Sequence, residues 1–280
     1  MVELATHLGD GATVAAIAVL VYWFAGASRR VRPYVLGVGL VALAVSTGLK
    51  GTIARERPDP EVLTFAPETH AGFSFPSAHA LGSAAIFSML MITLSVGRPG
   101  HRILVGATVI ATVMLSRVVL GVHYVGDVFV GALVGLAIVA VMFRAYPDVP
   151  DPQYAFALAF VIATVAYALG ARRHSMLVMG ASLGAAATWR YVDATDPRPA
   201  GAAIVVLGVL ILPWLFVLRG ATAVFEISHL TQLIGYAIAT AGVLVVPVVA
   251  ERMNDWPPVV WLQTLLPFEG RTIDFDPLGS

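Results

Sequence analysis

The sequence contains no cysteine, and only one of its 17 basic residues, Lys50, is a lysine. Without cysteine there is no disulfide framework, and the redox compartment leaves no mark. Charge of either sign is scarce: Asp, Glu, Lys and Arg make up 12% of the chain, against about 25% in an ordinary soluble domain. The formal net charge is zero, which argues against a nucleic-acid partner and against an acidic tail. Apolar residues fill the space instead, at 58% of the chain and a mean hydropathy of +0.84. That balance belongs to integral membrane proteins, because the apolar runs recur at lengths that match a bilayer. The near-exclusive use of arginine reads as a compositional bias and accounts for most arginines without a function. By the same reasoning the lone lysine stands out.

The runs predict an all-α, polytopic transmembrane bundle of about nine spans, near 12–27, 35–54, 77–96, 102–121, 125–143, 154–170, 174–190, 201–218 and 232–250. Turns at Gly97-Arg98-Pro99-Gly100 and through the proline-rich 147–152 stretch separate them. Glu3 and Asp10 precede the first run, unlike the positive segment of a cleaved signal peptide, so the first span is expected to stay as an anchor. Arg29, Arg30 and Arg32, then Arg98 and Arg102, then Arg144 fall in loops on one side, which the positive-inside rule makes cytoplasmic. Arg172 and Arg173 fall on the other side, but the first loops usually dominate. The expected location is therefore the cell membrane, multi-pass, with Lys50, His79, Arg117 and His123 at the extracytoplasmic face. Residues 1–145 carry the polar motifs and form the expected catalytic core. Residues 151–250 add four spans of unknown role, and 251–280 read as an interfacial or disordered tail.

Within the core the polar residues are patterned as Lys50-x6-Arg57-Pro58, then Pro76-Ser77-Ala78-His79, then Ser116-Arg117-x5-His123-x3-Asp127. Charges near a bilayer are costly and are rarely there without a task. His123 and Asp127, four residues apart at the start of the fifth span, are expected on one helical face. A carboxylate beside an imidazole holds its tautomer and leaves the other nitrogen free to attack. Arg117 offers a planar fork to two phosphate oxygens. Pro76 and Ser77 mark a helix start, whose free N–H groups attract an anion, and His79 in that first turn is placed to protonate a leaving alkoxide. Lys50 and Arg57 complete three cations around one phosphoryl group. Taken singly, each residue has a plainer reading as a snorkelling anchor, a helix cap or a helix-terminal charge. It is the ordered set that carries the chemistry.

This arrangement resembles the type 2 phosphatidic acid phosphatase family, which is related to bacterial non-specific acid phosphatases and vanadium haloperoxidases. The family pattern is K-x6-R-P, P-S-G-H and S-R-x5-H-x3-D. The chain matches it at Lys50, Arg57, Pro58, Pro76, Ser77, His79, Ser116, Arg117, His123 and Asp127. The match is specific but confined to the Lys50–Asp127 region. The resemblance implies a phosphatase that needs no metal or other cofactor. His123 would be the nucleophile, forming a phosphohistidine, Asp127 would orient it, and His79 would be the acid. Lys50, Arg57, Ser77, the backbone amide of Ala78 and Arg117 would hold the phosphate. Read from the residues alone, His79 and His123 remain alternatives for the nucleophile. Ala78 departs from the family glycine; in the first turn of a helix φ is negative, so alanine is expected to fit.

The expected substrate is a lipid phosphomonoester or pyrophosphate: phosphatidate, phosphatidylglycerol phosphate, or a polyprenyl phosphate or diphosphate. Its head would enter the cation cluster while its tail stays among membrane lipids. Two rivals share the scaffold. One is a lipid phosphotransferase, in which an alcohol takes the phosphoryl group in place of water. The other is a transporter or scaffold whose later spans do the work. His7, His70, His101, His174 and His229 have no motif partner and read as loop or interfacial residues, and Glu226 and His229, three apart, mark an interfacial helix rather than a pair.

Overall fold

The structure is a computed structural model, and it describes residues 6–25, 30–59, 72–94, 97–145, 151–172, 174–195, 197–224 and 227–265. Among them are ten helices and no strand: α1 (Gly11–Phe24), α2 (Val31–Ile53), α3 (Ala78–Thr93), α4 (Pro99–Val119), α5 (Val125–Ala145), α6 (Pro152–Ala168), α7 (Ser175–Thr195), α8 (Gly201–Val224), α9 (His229–Glu251) and α10 (Pro257–Leu265). The first nine coincide with the nine expected apolar segments. Four of the described helices, α2, α4, α5 and α9, are long and apolar enough to cross a membrane. α1, α3, α6 and the Gly201–Pro213 part of α8 are apolar but shorter, so the architecture is an all-helical, membrane-type bundle rather than a demonstrated set of nine crossings. In the tail, Pro257 and Pro258 start a short helix, α10. Arg29, His70, Arg173 and Glu226 lie outside the described residues, as do 266–280.

Local sequence sets the helix starts. Ser77, Asp151 and Ser228 cap α3, α6 and α9 with their side-chain oxygens, and Pro99 and Pro152 occupy the first turns of α4 and α6. These residues satisfy or remove N–H groups that have no acceptor within the helix.

Close packing comes from small residues. On α5, a Cβ at Gly131 would lie 2.7 Å from the Ser77 carbonyl oxygen, and one at Gly135 would lie 2.4 Å from that of Leu81. This small-x3-small stripe lets the backbones of α3 and α5 nearly touch. Gly37 and Gly51 on α2 do the same against Ala155 and Ala171, and Gly180 and Gly184 on α7 against the backbone of α9. Helix α2 therefore joins the motif-bearing helices to the later ones.

A second joint links α1 to α9. Pro247 sits inside α9 and supplies no N–H to the carbonyl of Val243, four residues back. The Trp23 indole donates to that carbonyl at 3.0 Å, and the Tyr22 hydroxyl donates to the neighbouring Leu244 carbonyl at 2.8 Å. An unpaired carbonyl in an apolar interior costs several kcal/mol, roughly, so these two side chains hold α1 in place. Large apolar side chains such as Leu104, Val105, Leu115 and Ile238 face outward, as a lipid solvent allows.

This topology brings the starts of α1, α3 and α5 and the ends of α2 and α4 to one end of the bundle. Arg30, Arg98, Arg102 and Arg144 mark the other end.

Candidate active site

Helix α2 ends in Lys50 and then Ala54, whose φ of 49° turns the chain back at the helix terminus. The outgoing strand of chain, 55–59, runs beside the returning 72–76 segment, joined by the Ser74 amide donating to the Arg55 carbonyl at 2.7 Å. Lys50 Nζ donates to the Phe73 carbonyl at 2.6 Å. Arg57 Nε donates to the Gly72 carbonyl at 3.1 Å and Nη1 to the Val122 carbonyl at 2.7 Å. Both motif cations are thus aimed at the loop that leads into α3.

Ser77 closes that loop. Its hydroxyl, fully buried, faces the Ala80 amide at 3.5 Å as the α3 cap, and its own amide donates to the Asp127 carbonyl at 3.0 Å. The start of α3 is therefore tied to the start of α5. The amides of Ala78 and His79 lie in the first turn, where the helix offers them no acceptor. Ala78 is the first residue of α3 and has no positive φ, so alanine fits the position that the family gives to glycine.

Asp127 is buried in the first turn of α5 and accepts three hydrogen bonds. The Tyr124 amide donates to Oδ2 at 3.0 Å, in the manner of a reciprocal capping interaction. Arg55 Nη1 donates to Oδ1 at 2.9 Å, with its guanidinium 4.3 Å from the centre of the Tyr124 ring. The Ser74 hydroxyl donates to Oδ2 at short range. His123 stands just ahead of α5, not on its face as the spacing predicted, because the turn that follows Gly121 (φ 68°) carries it outside the helix. Its Nδ1 is 3.7 Å from Asp127 Oδ2, beyond a hydrogen bond, and 3.4 Å from Ser74 Oγ. Ser74 therefore stands between the imidazole and the carboxylate. The other nitrogen, Nε2, lies 3.4 Å from Arg57 Nη1.

Burial, then the positive charges of Arg57, Lys50 and Arg117, hold His123 well below the usual imidazole range. It stays neutral, with a lone pair available. Arg117, near the end of α4, donates through Nη1 to the Thr6 hydroxyl, while its buried Nε has no partner among the described residues. His79 Nε2 lies 2.6 Å from Asp10 Oδ1, and His7 Nδ1 lies 2.6 Å from the other oxygen of Asp10. His7 remains exposed and, among the described residues, touches no motif residue, but it reaches the site through Asp10. His229 instead meets the Tyr167 hydroxyl at 3.0 Å, on the later helices.

All the motif side chains therefore collect at one end of the bundle. Three groups join them that the spacing did not reveal: Arg55, Ser74 and Asp10. Arg55 was hidden among the other arginines, and Ser74 among residues with no spacing rule. Asp10 sits far from the motifs in sequence.

Comparison with known proteins agrees with the motif reading. The family model for the PAP2 superfamily matches residues 30–151. Decaprenylphosphoryl-5-phosphoribose phosphatase of Mycobacterium tuberculosis is 33% identical over 138 residues, which cover 49% of this chain and 74% of that protein. Phosphatidylglycerophosphatase B of Bacillus subtilis is 40% identical over 95 residues, 31% of this chain and 44% of the relative. No solved structure matches. With the three motifs in order and most of a phosphatase aligned, the chain belongs to the PAP2 superfamily and is a phosphoric ester hydrolase.

Proposed function

We propose that the chain is a multi-pass membrane phosphatase that hydrolyses a lipid phosphomonoester or pyrophosphate through a phosphohistidine, without a metal. The observation that supports this most directly is the orientation of His123. Its Nδ1 faces Ser74 and Asp127, and its Nε2 faces the Arg57 guanidinium, where a phosphoryl group held by cations would sit. Lys50, Arg57 and Arg117 bind the phosphate oxygens with the first-turn amides of α3. Ser77 keeps those amides in place by capping the helix.

Nε2 attacks phosphorus, and the bond from phosphorus to the leaving oxygen breaks. His79 gives its proton to that oxygen, releasing the lipid alcohol from a monoester or the lipid monophosphate from a pyrophosphate. Water then attacks the phosphohistidine, His79 takes a proton from it, and the P–N bond breaks to free inorganic phosphate. Three fixed cations stabilise the equatorial oxygens as charge builds. Asp127 orients His123 through Ser74.

Nine helices, α1 to α9, cross or enter the bilayer in this reading, with residues 1–145 as the catalytic unit and 151–250 as a buttress on α1 and α2. The arginine-rich end is cytoplasmic by the positive-inside rule, which puts the site at the extracytoplasmic face. A head group can reach the cations there while its chains stay in lipid.

The test is phosphate release by the purified protein from a panel: phosphatidate, phosphatidylglycerol phosphate, polyprenyl phosphate and diphosphate, and a polyprenylphosphoryl pentose phosphate. The panel is run with and without a polyol, using His123→Ala as the control. At least one lipid should release phosphate with the wild type and none with the variant. Phosphorylated polyol without free phosphate would make the protein a transferase, and activity surviving in His123→Ala would refute the nucleophile.

A further inference from the structure

The segment before α1 lies across the site. Thr6 accepts from Arg117, and Gly9 fits so closely that a Cβ there would come within 2.5 Å of Val113 and 3.1 Å of His79. Asp10 ends the segment at the N-cap position of α1. An aspartate there ordinarily turns its carboxylate onto the helix amides, but this one makes no side-chain cap bond. Both oxygens are given to histidines instead, 2.6 Å from His79 Nε2 and 2.6 Å from His7 Nδ1. The helix start forgoes its best cap, and the carboxylate is spent on the proposed acid.

We infer that Asp10 is a positioning residue for the hydrolysis, holding His79 as a proton donor with Nδ1 left to face the leaving oxygen. This rests on the proposed role of His79. The groups around His79 explain the need. Arg117 on α4, Lys50 on α2 and His123 beside Arg57 surround it with positive or neutral nitrogen groups. Asp127 is already committed to Arg55, Ser74 and the Tyr124 amide. Among the described residues, Asp10 is the carboxylate that touches His79. Its hydrogen bond with His79, followed by that with His7, holds it at about 2 against the opposing effect of burial, so it is ionised at any working pH. It gains and loses no proton in turnover. The proton given to the leaving oxygen is the one His79 later takes from water.

The experiment compares two leaving groups in the full-length protein in detergent. Phosphatidate expels an alkoxide that must be protonated, whereas p-nitrophenyl phosphate expels a stable phenolate. Asp10→Asn and Asp10→Ser both keep a good N-cap residue, so the start of α1 is retained; a thermal melt checks this. Each should lose about tenfold or more in kcat on phosphatidate and several times less on the aryl ester. The alkaline limb of kcat on phosphatidate should move about one pH unit lower, because the imidazolium has lost its counter-charge. Asp10→Glu should restore part of the rate. Equal losses on both esters, or a faster enzyme on both, would overturn the inference and make the segment a brace or a plug. His79→Ala is run beside them. If it shows the leaving-group dependence and the Asp10 variants do not, the inference falls alone; if it shows none, the acid role of His79 falls and takes this inference with it.

Discussion

Gly131→Ala tests whether the contact between α3 and α5 sets the site. Gly131 is in no motif, yet its added Cβ would stand 2.7 Å from the Ser77 carbonyl oxygen and 3.4 Å from the Ser77 amide nitrogen. A carbon–oxygen contact settles at roughly 3.3 Å or more, so the two helices must part by about half an ångström. The atom in the way is backbone, which cannot swing aside. The bond from the Ser77 amide to the Asp127 carbonyl crosses the same gap, so the strain falls between Ser77 and His79 on one side and His123 and Asp127 on the other. A misplacement of about 1 Å can cost roughly a hundredfold in rate, so half of that predicts about a tenfold loss in kcat. Overpacking costs about 1–3 kcal/mol, while replacing a helical glycine by alanine returns about 1 kcal/mol. The net loss of stability should be about 1 kcal/mol. Gly82→Ala is the control, since nothing lies within 4 Å of its added Cβ. The assay is kcat and KM on the best lipid phosphate, with a thermal melt in the same detergent. If Gly131→Ala keeps kcat within about twofold and melts like Gly82→Ala, the claim that this contact positions the site is refuted.

Arg55→Ala removes a charge-assisted bond to buried Asp127 and a stacking contact on Tyr124. The bond would be worth about 1.5–3 kcal/mol if buried, but the Arg55 side chain is 46% exposed, so a loss near 1 kcal/mol is expected with a larger effect on kcat than on KM. A change confined to KM would place Arg55 on the substrate instead. For pH, His123 is neutral when folded and protonated when unfolded below its ordinary value near 6.5. Stability should therefore be full above that value and fall as pH drops below it, by up to about 1.4 kcal/mol per pH unit. Melts of wild type and His123→Gln between pH 7.5 and 5 should differ in slope, and parallel curves would refute the burial argument. EDTA treatment should leave phosphate release intact; loss that magnesium restores would show a metal requirement.

The apolar runs marked nine of the ten described helices to within six residues at either end, because a helix of a membrane-type bundle is apolar over most of its length. The spacing of the motifs also foretold that Lys50, His79, Arg117 and His123 share one end, since successive helices alternate direction. It put His123 and Asp127 on one helical face, whereas His123 precedes α5 and comes within 3.7 Å of Asp127 from outside the helix. The 3.6-residue period holds only inside a helix, and the turn after Gly121 ends α4 and carries His123 outside α5.

By itself, then, the sequence determined the class of the molecule, the positions of its helices and the set of residues that could handle a phosphate. Composition and spacing are local properties, and these features follow from them. Only the tertiary structure decided which groups touch. It put Ser74 between His123 and Asp127, set Arg55 on that carboxylate, and brought Asp10 onto His79 across a distance of 69 residues. Those contacts depend on how closely α3 approaches α5 and on how α1 docks, which glycines and long-range hydrogen bonds settle and no local pattern records.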